Sequence, residues 1–145
     1  MTEWIQANHE LTVATHGKGF IEVTRDLARW LDSVSAGSGL LTVFVRHTSA
    51  SLTIQENADP NVRVDLLDTL ERLAPEGRDY AHQEEGLDDM PGHIKAMLTA
   101  VSLSIPVNGG RMVLGRWQGV YLIEHRSVPH RRSLALNFIG HSAKS

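Results

Sequence analysis

The densest group of side chains able to do chemistry lies between residues 80 and 93. This stretch holds two histidines, His82 and His93, and four acids, Glu84, Glu85, Asp88 and Asp89. Carboxylates crowded this closely repel one another unless water or a cation neutralises them. The stretch therefore predicts either a binding site beside the two histidines or a solvated acidic loop.

A second polar group follows a buried strand. Residues 40–45 form an apolar run typical of a strand covered on both faces. Arg46 and His47 come next, followed by the hydroxyls of Thr48, Ser49 and Ser51. Because a core strand holds its ends rigidly, this segment is well placed to support a site. The alternative is a polar turn in which His47 is a hydrogen-bonded structural residue.

Two further clusters lie near the ends of another buried strand, residues 120–123. Glu124, His125 and Arg126 follow that strand and repeat the combination of imidazole and cation. Before it, two glycines bracket Arg116, Trp117 and Gln118. Trp117 is either ordinary core or a wall for a planar ligand.

Histidines at element ends suit a transition metal. Zinc binds neutral imidazole nitrogens at about 2.0–2.1 Å, and carboxylates often orient the rings. His47, His82 and His93 are the candidate ligands, with Glu85 and Asp89 as orienting or acid/base groups. If magnesium is bound instead, oxygen ligands and phosphate dominate the site. The expected cofactor is a divalent metal ion, zinc or magnesium.

Several cations and hydroxyls are candidates for holding a phosphorylated or carboxylated ligand. Charge-assisted hydrogen bonds favour such anions. The candidate residues are Arg46, Ser49, Ser51, Lys95, Arg111, Arg116 and Arg126, together with backbone amides. A serine hydrolase is the less favoured interpretation, because the chain has no GxSxG elbow.

Composition narrows the function classes. The chain has 145 residues, a net charge of -3 and no cysteine. These values predict a single domain over 1–145, without a disulfide frame or a thiolate zinc site. No basic cluster indicates nucleic-acid binding, and no segment is apolar enough for a signal peptide or a membrane span. We expect a cytoplasmic protein.

The predicted elements give an α+β fold. Residues 10–15 and 20–23 are expected to form an N-terminal hairpin, and Asn108-Gly109-Gly110 predicts a second hairpin turn. Further strands are predicted at residues 101–105, 111–114, 120–123 and 131–139. The sum is seven or eight mostly antiparallel strands with about three helices packed on an antiparallel or mixed sheet system.

Three helices are predicted from caps and apolar spacing. Thr24 is expected to cap the first helix, which runs to about residue 34. Asp59 followed by Pro60 begins the second, with one apolar face formed by Val62, Leu66, Leu70 and Leu73. The third carries His93 in its first turn and is expected to pack Ile94, Met97 and Leu98 inward.

Together these motifs resemble the YjbQ family, whose members are described as secondary thiamine-phosphate synthases. The resemblance rests on residues 47–53, Glu56-Asn57 with Asp59-Pro60, residues 80–95, Ile105-Pro106-Val107, residues 115–119 and Glu124-His125-Arg126. It covers almost the whole chain in order.

The resemblance implies a compact, sandwich-like α+β domain that assembles as a homo-oligomer, expected to be a trimer. It also implies a metal held near His47, His82 and His93. It implies a reaction that joins hydroxymethylpyrimidine diphosphate to thiazole phosphate and releases pyrophosphate. In that enzyme Glu85, Asp89 and His125 are the expected catalytic groups. The expected substrate contacts are Ser49, Ser51, Lys95, Arg116, Trp117, Gln118 and Arg126.

Two positions depart from the family's pattern. Arg116 stands where a small hydroxyl residue is expected, and Gln55 where asparagine is usual. Arg116 adds charge beside the expected ligand wall. The rival hypothesis is an oligomeric protein that binds a metal or a small phosphorylated ligand, with incidental synthase activity.

Overall fold

The computed structural model describes residues 2–144, which form eight strands and three helices. The strands are β1 (Trp4–Ala14), β2 (Gly19–Glu22), β3 (Ala36–Val45), β4 (Ala50–Glu56), β5 (Ser102–Asn108), β6 (Arg111–Met112), β7 (Gln118–Glu124) and β8 (Arg131–Ser142). The helices are α1 (Thr24–Ser33), α2 (Pro60–Leu73) and α3 (Asp89–Leu98). The predicted α+β class and the number of elements are confirmed.

The strands form two antiparallel sheets. One has five strands in the order β1-β8-β3-β5-β6, and the other has three in the order β2-β7-β4. β3 pairs with β8 through Val45 and Leu134, and β4 pairs with β7 through Ala50 and Glu124. The candidate site therefore lies where four strand ends meet. These are the end of β3, the start of β4, the end of β7 and the start of β8.

One core joins the two sheets and α1. Leu41, Val43 and Val45 of β3 are buried in it with alternate residues of β8. From α1 come Leu27, Trp30 and Leu31, the three- and four-residue spacing that the sequence predicts. This rigid core fixes the strand ends on which the polar residues lie.

Two strand predictions are wrong. β1 and β2 do not form a hairpin with each other, because β1 pairs with β8 and β2 pairs with β7 in the other sheet. β3 is not covered on both faces, since Leu40 and Phe44 are 38% and 44% exposed. β3 has apolar side chains on both faces. In the single chain only one of these faces packs against the core, and the other is not covered.

The helix faces also differ from expectation. α2 has no fully buried side chain, and Leu73 is 61% exposed. On α3 the inward face carries Asp89, Gly92 and Lys95, while Met97 and Leu98 point outward. Pro91 and Ala96 are buried beside them, so the inward face of α3 combines polar groups with small apolar side chains.

The predicted caps and turns are mostly confirmed. Asp59 caps α2 by accepting a hydrogen bond from the N–H of Asn61, with Pro60 in the first turn. Gly109 and Gly110 both have positive φ in the β5–β6 hairpin, as a type I′ turn requires. Thr24 does not cap α1, because its hydroxyl accepts from the N–H of Val120 instead.

Within residues 2–144, no helix is both long and apolar enough to span a membrane.

Candidate metal centre

Two imidazole side chains converge on one carboxylate oxygen. Oδ2 of Asp89 lies 2.6 Å from Nε2 of His82 and 3.1 Å from Nε2 of His93. Asp89 and His93 are one helical turn apart on α3, and His82 reaches them from the loop that precedes the helix. The three possible ligand atoms lie within 4.8 Å of one another. Within the described part of the chain, this group of three has a geometry that could hold a metal ion.

The backbone of Thr48 fixes the proton on His93. Nδ1 of His93 lies 2.9 Å from the carbonyl oxygen of Thr48, which can only accept a hydrogen bond, so Nδ1 carries a proton. In the neutral ring, Nε2 then has a lone pair that points at the carboxylate of Asp89. Two acceptors at this distance attract each other only through a cation, either a second proton on the ring or a metal ion.

Arg126 holds the carboxylates in place. Its Nη1 donates to Oδ1 of Asp89 at 2.7 Å, its Nε donates to Asp88 at 3.1 Å, and its Nη2 donates to the carbonyl of Glu85 at 2.8 Å. This fork joins the segment after β7 to the loop and to the start of α3. It leaves Oδ2 of Asp89 directed at the two histidines.

Both neighbouring aspartates are ionised. Burial opposes the charge on Asp88, but the N–H and hydroxyl of Ser127 and the guanidinium of Arg126 lower its pKa to about 2. Burial likewise opposes the charge on Asp89, yet hydrogen bonding to His82 and the positive charges around it hold its pKa below the ordinary value. Asp89 is thus a charged acceptor at neutral pH.

The sequence-based ligand set is only partly brought together. His82 and His93 meet as expected, but His47 does not join them. Nε2 of His47 accepts a hydrogen bond from the N–H of Ser133 at 2.8 Å, and burial together with the charge of Arg132 lowers the pKa of His47. Asp89, expected as an orienting or acid/base group, occupies the third position.

Several expected substrate contacts are engaged inside the protein. Ser51 is buried and bonds to Nε2 of His125 at 2.8 Å, and Ser49 accepts from Arg132 at 3.0 Å. Lys95 is buried and paired with Glu71. All three residues are buried, and the polar group of each is already bound within the chain.

His125 is a structural neighbour of the site. It is 2% exposed, and burial, with the positive charge of Lys95 nearby, lowers its pKa to about 4. The ring is therefore neutral at neutral pH. Glu124, which precedes it, is bound by Arg132 and Thr15 in the interior.

The segment with Trp117 lies at the other end of the molecule. Arg116 stacks on Trp117 with 4.8 Å between guanidinium carbon and ring centroid, and the indole is 53% exposed. Gln118 begins β7, whereas Arg126 follows its end, so the two groups are about 20 Å apart at the usual rise of a strand. Within one chain they cannot contact the same small ligand.

Some functional contacts are not foreseen from the sequence. Glu85 contributes its carbonyl to Arg126, while the residue itself is exposed. The roles of Asp88 and Thr48 depend on tertiary contacts and leave no local signal. Asp89 does have one: the spacing Asp89-x-x-x-His93 places both side chains on one face of a helix.

Two histidines and a carboxylate are the protein ligands of one class of catalytic zinc sites, and the same set recurs in non-haem iron enzymes. The arrangement can hold a divalent cation while leaving positions open for water or a substrate. Magnesium fits less well, since it prefers an all-oxygen shell.

Comparison with known proteins gives a consistent family. The sequence model described as UPF0047 protein YjbQ-like matches residues 9–141. A UPF0047 protein of Synechocystis sp. is 50% identical over 131 residues, which cover 90% of this chain and 89% of that protein. The UPF0047 protein YjbQ of Escherichia coli O157:H7 is 44% identical, over 85% of this chain and 88% of its own length.

Solved structures show the same fold. The crystal structure of an uncharacterized YjbQ/UPF0047 protein from Clostridium acetobutylicum has a TM-score of 0.84 at 35% identity and covers 90% of this chain and 99% of its own. That of a hypothetical protein from Aeropyrum pernix has a TM-score of 0.85 at 29% identity, with coverage of 92% and 98%. On this sequence and structural similarity, the chain belongs to the YjbQ-like UPF0047 family.

Proposed function

We propose that His82, Asp89 and His93 form a divalent metal centre. The observation that carries the proposal is the single carboxylate oxygen of Asp89 facing two imidazole nitrogens at 2.6 and 3.1 Å. Thr48 orients one ring and Arg126 orients the carboxylate, which are the supporting contacts that metal ligands usually have. Only the two imidazoles contact Oδ2 of Asp89, while Thr48 and Arg126 bind the far side of the His93 ring and Oδ1, which keeps Oδ2 directed at both histidines.

Zinc is the ion that the ligand set favours. Imidazole nitrogens suit zinc and neighbouring transition metals, whereas magnesium is usually bound by carboxylates, phosphates and water. His82 is 43% exposed at its side chain, so a ligand could reach the ion from the loop side. We expect zinc to bind at one ion per chain and magnesium to bind far more weakly.

For the activity, we propose a synthase reaction on phosphorylated substrates, as the resemblance to secondary thiamine-phosphate synthases implies. The bond between the pyrimidine methylene carbon and the diphosphate oxygen breaks, and the diphosphate leaves with the electron pair. The thiazole nitrogen uses its lone pair to form the new bond to that carbon. No proton has to move in this step, so acid/base roles for Glu85, Asp89 and His125 are not required.

When bound, the ion would supply positive charge for the departing diphosphate. The chain's own residues hold and orient that charge. Asp89 and the two histidines would bind the ion. Arg126 holds Asp89 in position and forms an ion pair with the charged carboxylate of Asp88. Because Arg126 acts by holding Asp89, we propose it as a positioning residue and not as a direct contact of the substrate.

The second candidate is a protein that binds a metal or a small phosphorylated ligand, with incidental synthase activity. The observation in its favour is the distance of about 20 Å along β7 between Gln118, which begins the strand, and the segment with Arg126 that follows its end. With Ser49, Ser51 and Lys95 engaged internally, one chain offers few of the expected contacts for two substrates.

An assay of product formation distinguishes the synthase from the binding protein. Zinc-loaded protein is incubated with hydroxymethylpyrimidine diphosphate and thiazole phosphate, and thiamine phosphate and pyrophosphate are quantified. Equal amounts of both products, lost in His93→Ala and kept in the exposed control His16→Ala, support the synthase. Zinc and substrate binding without product supports the binding protein. Circular dichroism verifies that His93→Ala is folded.

We further propose that the protein is a homo-oligomer, expected to be a trimer. The outer face of the five-stranded sheet exposes the apolar side chains of Leu40, Phe44 and Ile139 in the single chain. Leu40 of β3 is paired with Ile139 of β8, so the two side chains lie next to each other on this face. A second copy packed on this face would remove these side chains from water.

A further inference from the structure

A charged residue occupies a core-facing position of β8. Arg132 is 4% exposed, and every second residue after it, Leu134, Leu136 and Phe138, belongs to the apolar core. Arginine is rarely buried to this extent unless it is paired. A charge where the strand pattern places apolar side chains indicates a role that apolar packing cannot fill.

The partner of Arg132 is Glu124, at the end of β7. Nε of Arg132 donates to Oε1 of Glu124 at 2.8 Å, and Nη2 donates to Oε2. The same carboxylate accepts from the hydroxyl of Thr15 at 2.6 Å and from the N–H of Arg126 at 3.1 Å. This forked pair fixes the plane of the guanidinium. The pair alone does not indicate a function, because desolvation offsets much of the attraction between buried charges.

The guanidinium also holds Ser49, in the segment between β3 and β4. Nη2 of Arg132 lies 3.0 Å from the hydroxyl oxygen and 3.2 Å from the carbonyl oxygen of Ser49. The same carbonyl accepts from the N–H of His125 at 3.2 Å. Ser49 is therefore held at both its side chain and its main chain. Since the peptide group between Thr48 and Ser49 is planar, the carbonyl of Thr48 is oriented with it.

Two contacts connect this segment to His93. The carbonyl oxygen of Thr48 lies 2.9 Å from Nδ1 of the His93 ring. A Cβ at Gly92 would lie 3.5 Å from Cβ of Ser49, so the helix backbone immediately before His93 also packs against Ser49. The ring and the backbone of His93 are thus both placed by the residues that Arg132 holds.

We propose that Arg132 is a positioning residue of the metal centre, which acts through Ser49 and the carbonyl of Thr48 on the ring of His93. This role rests on the proposed function, because it concerns the orientation of one ligand of that centre. Lysine at this position keeps the charge opposite Glu124. Its single ammonium group cannot reproduce the fork that binds the carboxylate and both oxygens of Ser49.

The test is a double-mutant cycle on zinc affinity, measured by competition with a chromophoric chelator. The cycle comprises wild type, Arg132→Lys, His93→Ala and the double variant. Arg131→Lys carries the same substitution at the exposed neighbouring residue of β8. Leu27→Ala removes a buried core side chain of α1 and is the control for a general loss of stability. Urea unfolding measures the stability of each protein.

We expect zinc affinity to fall about tenfold in Arg132→Lys, the lower end of the usual effect of an outer contact. Both controls should stay within about twofold of wild type while they remain folded. In the His93→Ala background, Arg132→Lys should change the remaining zinc affinity by less than about twofold, because its effect passes through His93.

Ser49→Ala provides a second variant that leaves the pair of Arg132 and Glu124 intact. It removes the hydroxyl that accepts from Nη2 and keeps the carbonyl contact. We expect a smaller loss of zinc affinity, about threefold, again absent in the His93→Ala background. This variant tests the same route if Arg132→Lys is too unstable to measure.

Failure of the metal centre and failure of the positioning role give different results. No zinc uptake by wild type overturns the proposed function and the role of Arg132 with it. Normal uptake by wild type, with unchanged affinity in Arg132→Lys and Ser49→Ala, overturns the role of Arg132 alone. A tenfold fall that persists in the His93→Ala background also overturns it, since Arg132 would then support the fold in general.

Discussion

Nε2 of His93 lies 3.1 Å from Oδ2 of Asp89, the residue one turn earlier on α3. Thr48 holds the proton of His93 on the opposite ring nitrogen, and Arg126 holds the other carboxylate oxygen of Asp89. Nε2 of neutral His93 and Oδ2 of Asp89 therefore face each other, and Nε2 of His82 lies 2.6 Å from the same carboxylate oxygen. This convergence is the structural basis for a cation site.

The first prediction concerns which histidines bind the metal. His82→Ala is expected to weaken zinc binding by about 100-fold or more, because it removes one of three protein ligands. His47→Ala should leave zinc affinity nearly unchanged, since Nε2 of His47 accepts from the backbone of Ser133. Calorimetric titration of zinc measures both. Equal losses in the two variants would show that His47 is a ligand after all.

The second prediction concerns Arg126 as a positioning residue. Arg126→Lys keeps the charge but cannot contact Asp88, Asp89 and the carbonyl of Glu85 together. We expect zinc affinity to fall about 10-fold to 100-fold, the usual effect of losing an outer contact of a ligand. Arg131→Lys, at an exposed arginine of β8, is the matched control. Unchanged affinity in Arg126→Lys would exclude the positioning role.

The third prediction concerns acid stability. The folded protein protonates His125 near pH 4, because burial and Lys95 disfavour the cation, whereas the unfolded chain protonates it near pH 6.5. The unfolded state thus binds more protons between these values, and stability falls as the pH is lowered from 6.5 toward 4. This histidine should account for about 3 kcal/mol of that loss.

Urea unfolding of wild type and His125→Gln at pH 7, 6 and 5 tests this prediction. The variant cannot titrate at this position, so its free energy of unfolding should depend less steeply on pH, whatever its stability at pH 7. Glu71, Glu124 and Arg132 surround the ring and remain in both proteins. Parallel pH profiles would contradict the assignment.

The fourth prediction concerns assembly. Phe44→Glu places a charge on the outer sheet face, where Phe44 is 44% exposed in the single chain. We expect the proposed trimer to dissociate, as measured by sedimentation velocity, because burying an unpaired carboxylate is costly. Val128→Glu, in the exposed loop after β7, should keep the wild-type mass. A wild-type mass for Phe44→Glu would place any interface elsewhere.

The sequence predicts local features, such as helix faces and turns, better than it predicts which strands pair with each other. The stripe of Leu27, Trp30 and Leu31 and the turn at Gly109-Gly110 depend on neighbours in the chain, and both are confirmed. The pairing of β1 with β8 joins residues more than a hundred positions apart, which no local pattern encodes. The expected hairpin failed for that reason.

The same division holds for the candidate site. His82 and His93 stand out by type and spacing, and Asp89 could have been placed beside His93 from the helical period. His47 resembles them in its local surroundings, yet its Nε2 is committed to the backbone of Ser133, 86 residues later. The internal bonds of Ser51 and Lys95 likewise come from tertiary packing that the sequence does not display.

Zinc content and affinity of the wild type beside Asp89→Asn test the central claim most directly. The substitution preserves shape but removes the negative charge that both imidazoles face. We expect one zinc per chain in the wild type, with affinity reduced about 100-fold or more in the variant. No zinc uptake by the wild type, or equal uptake by the folded Asp89→Asn variant, would contradict it.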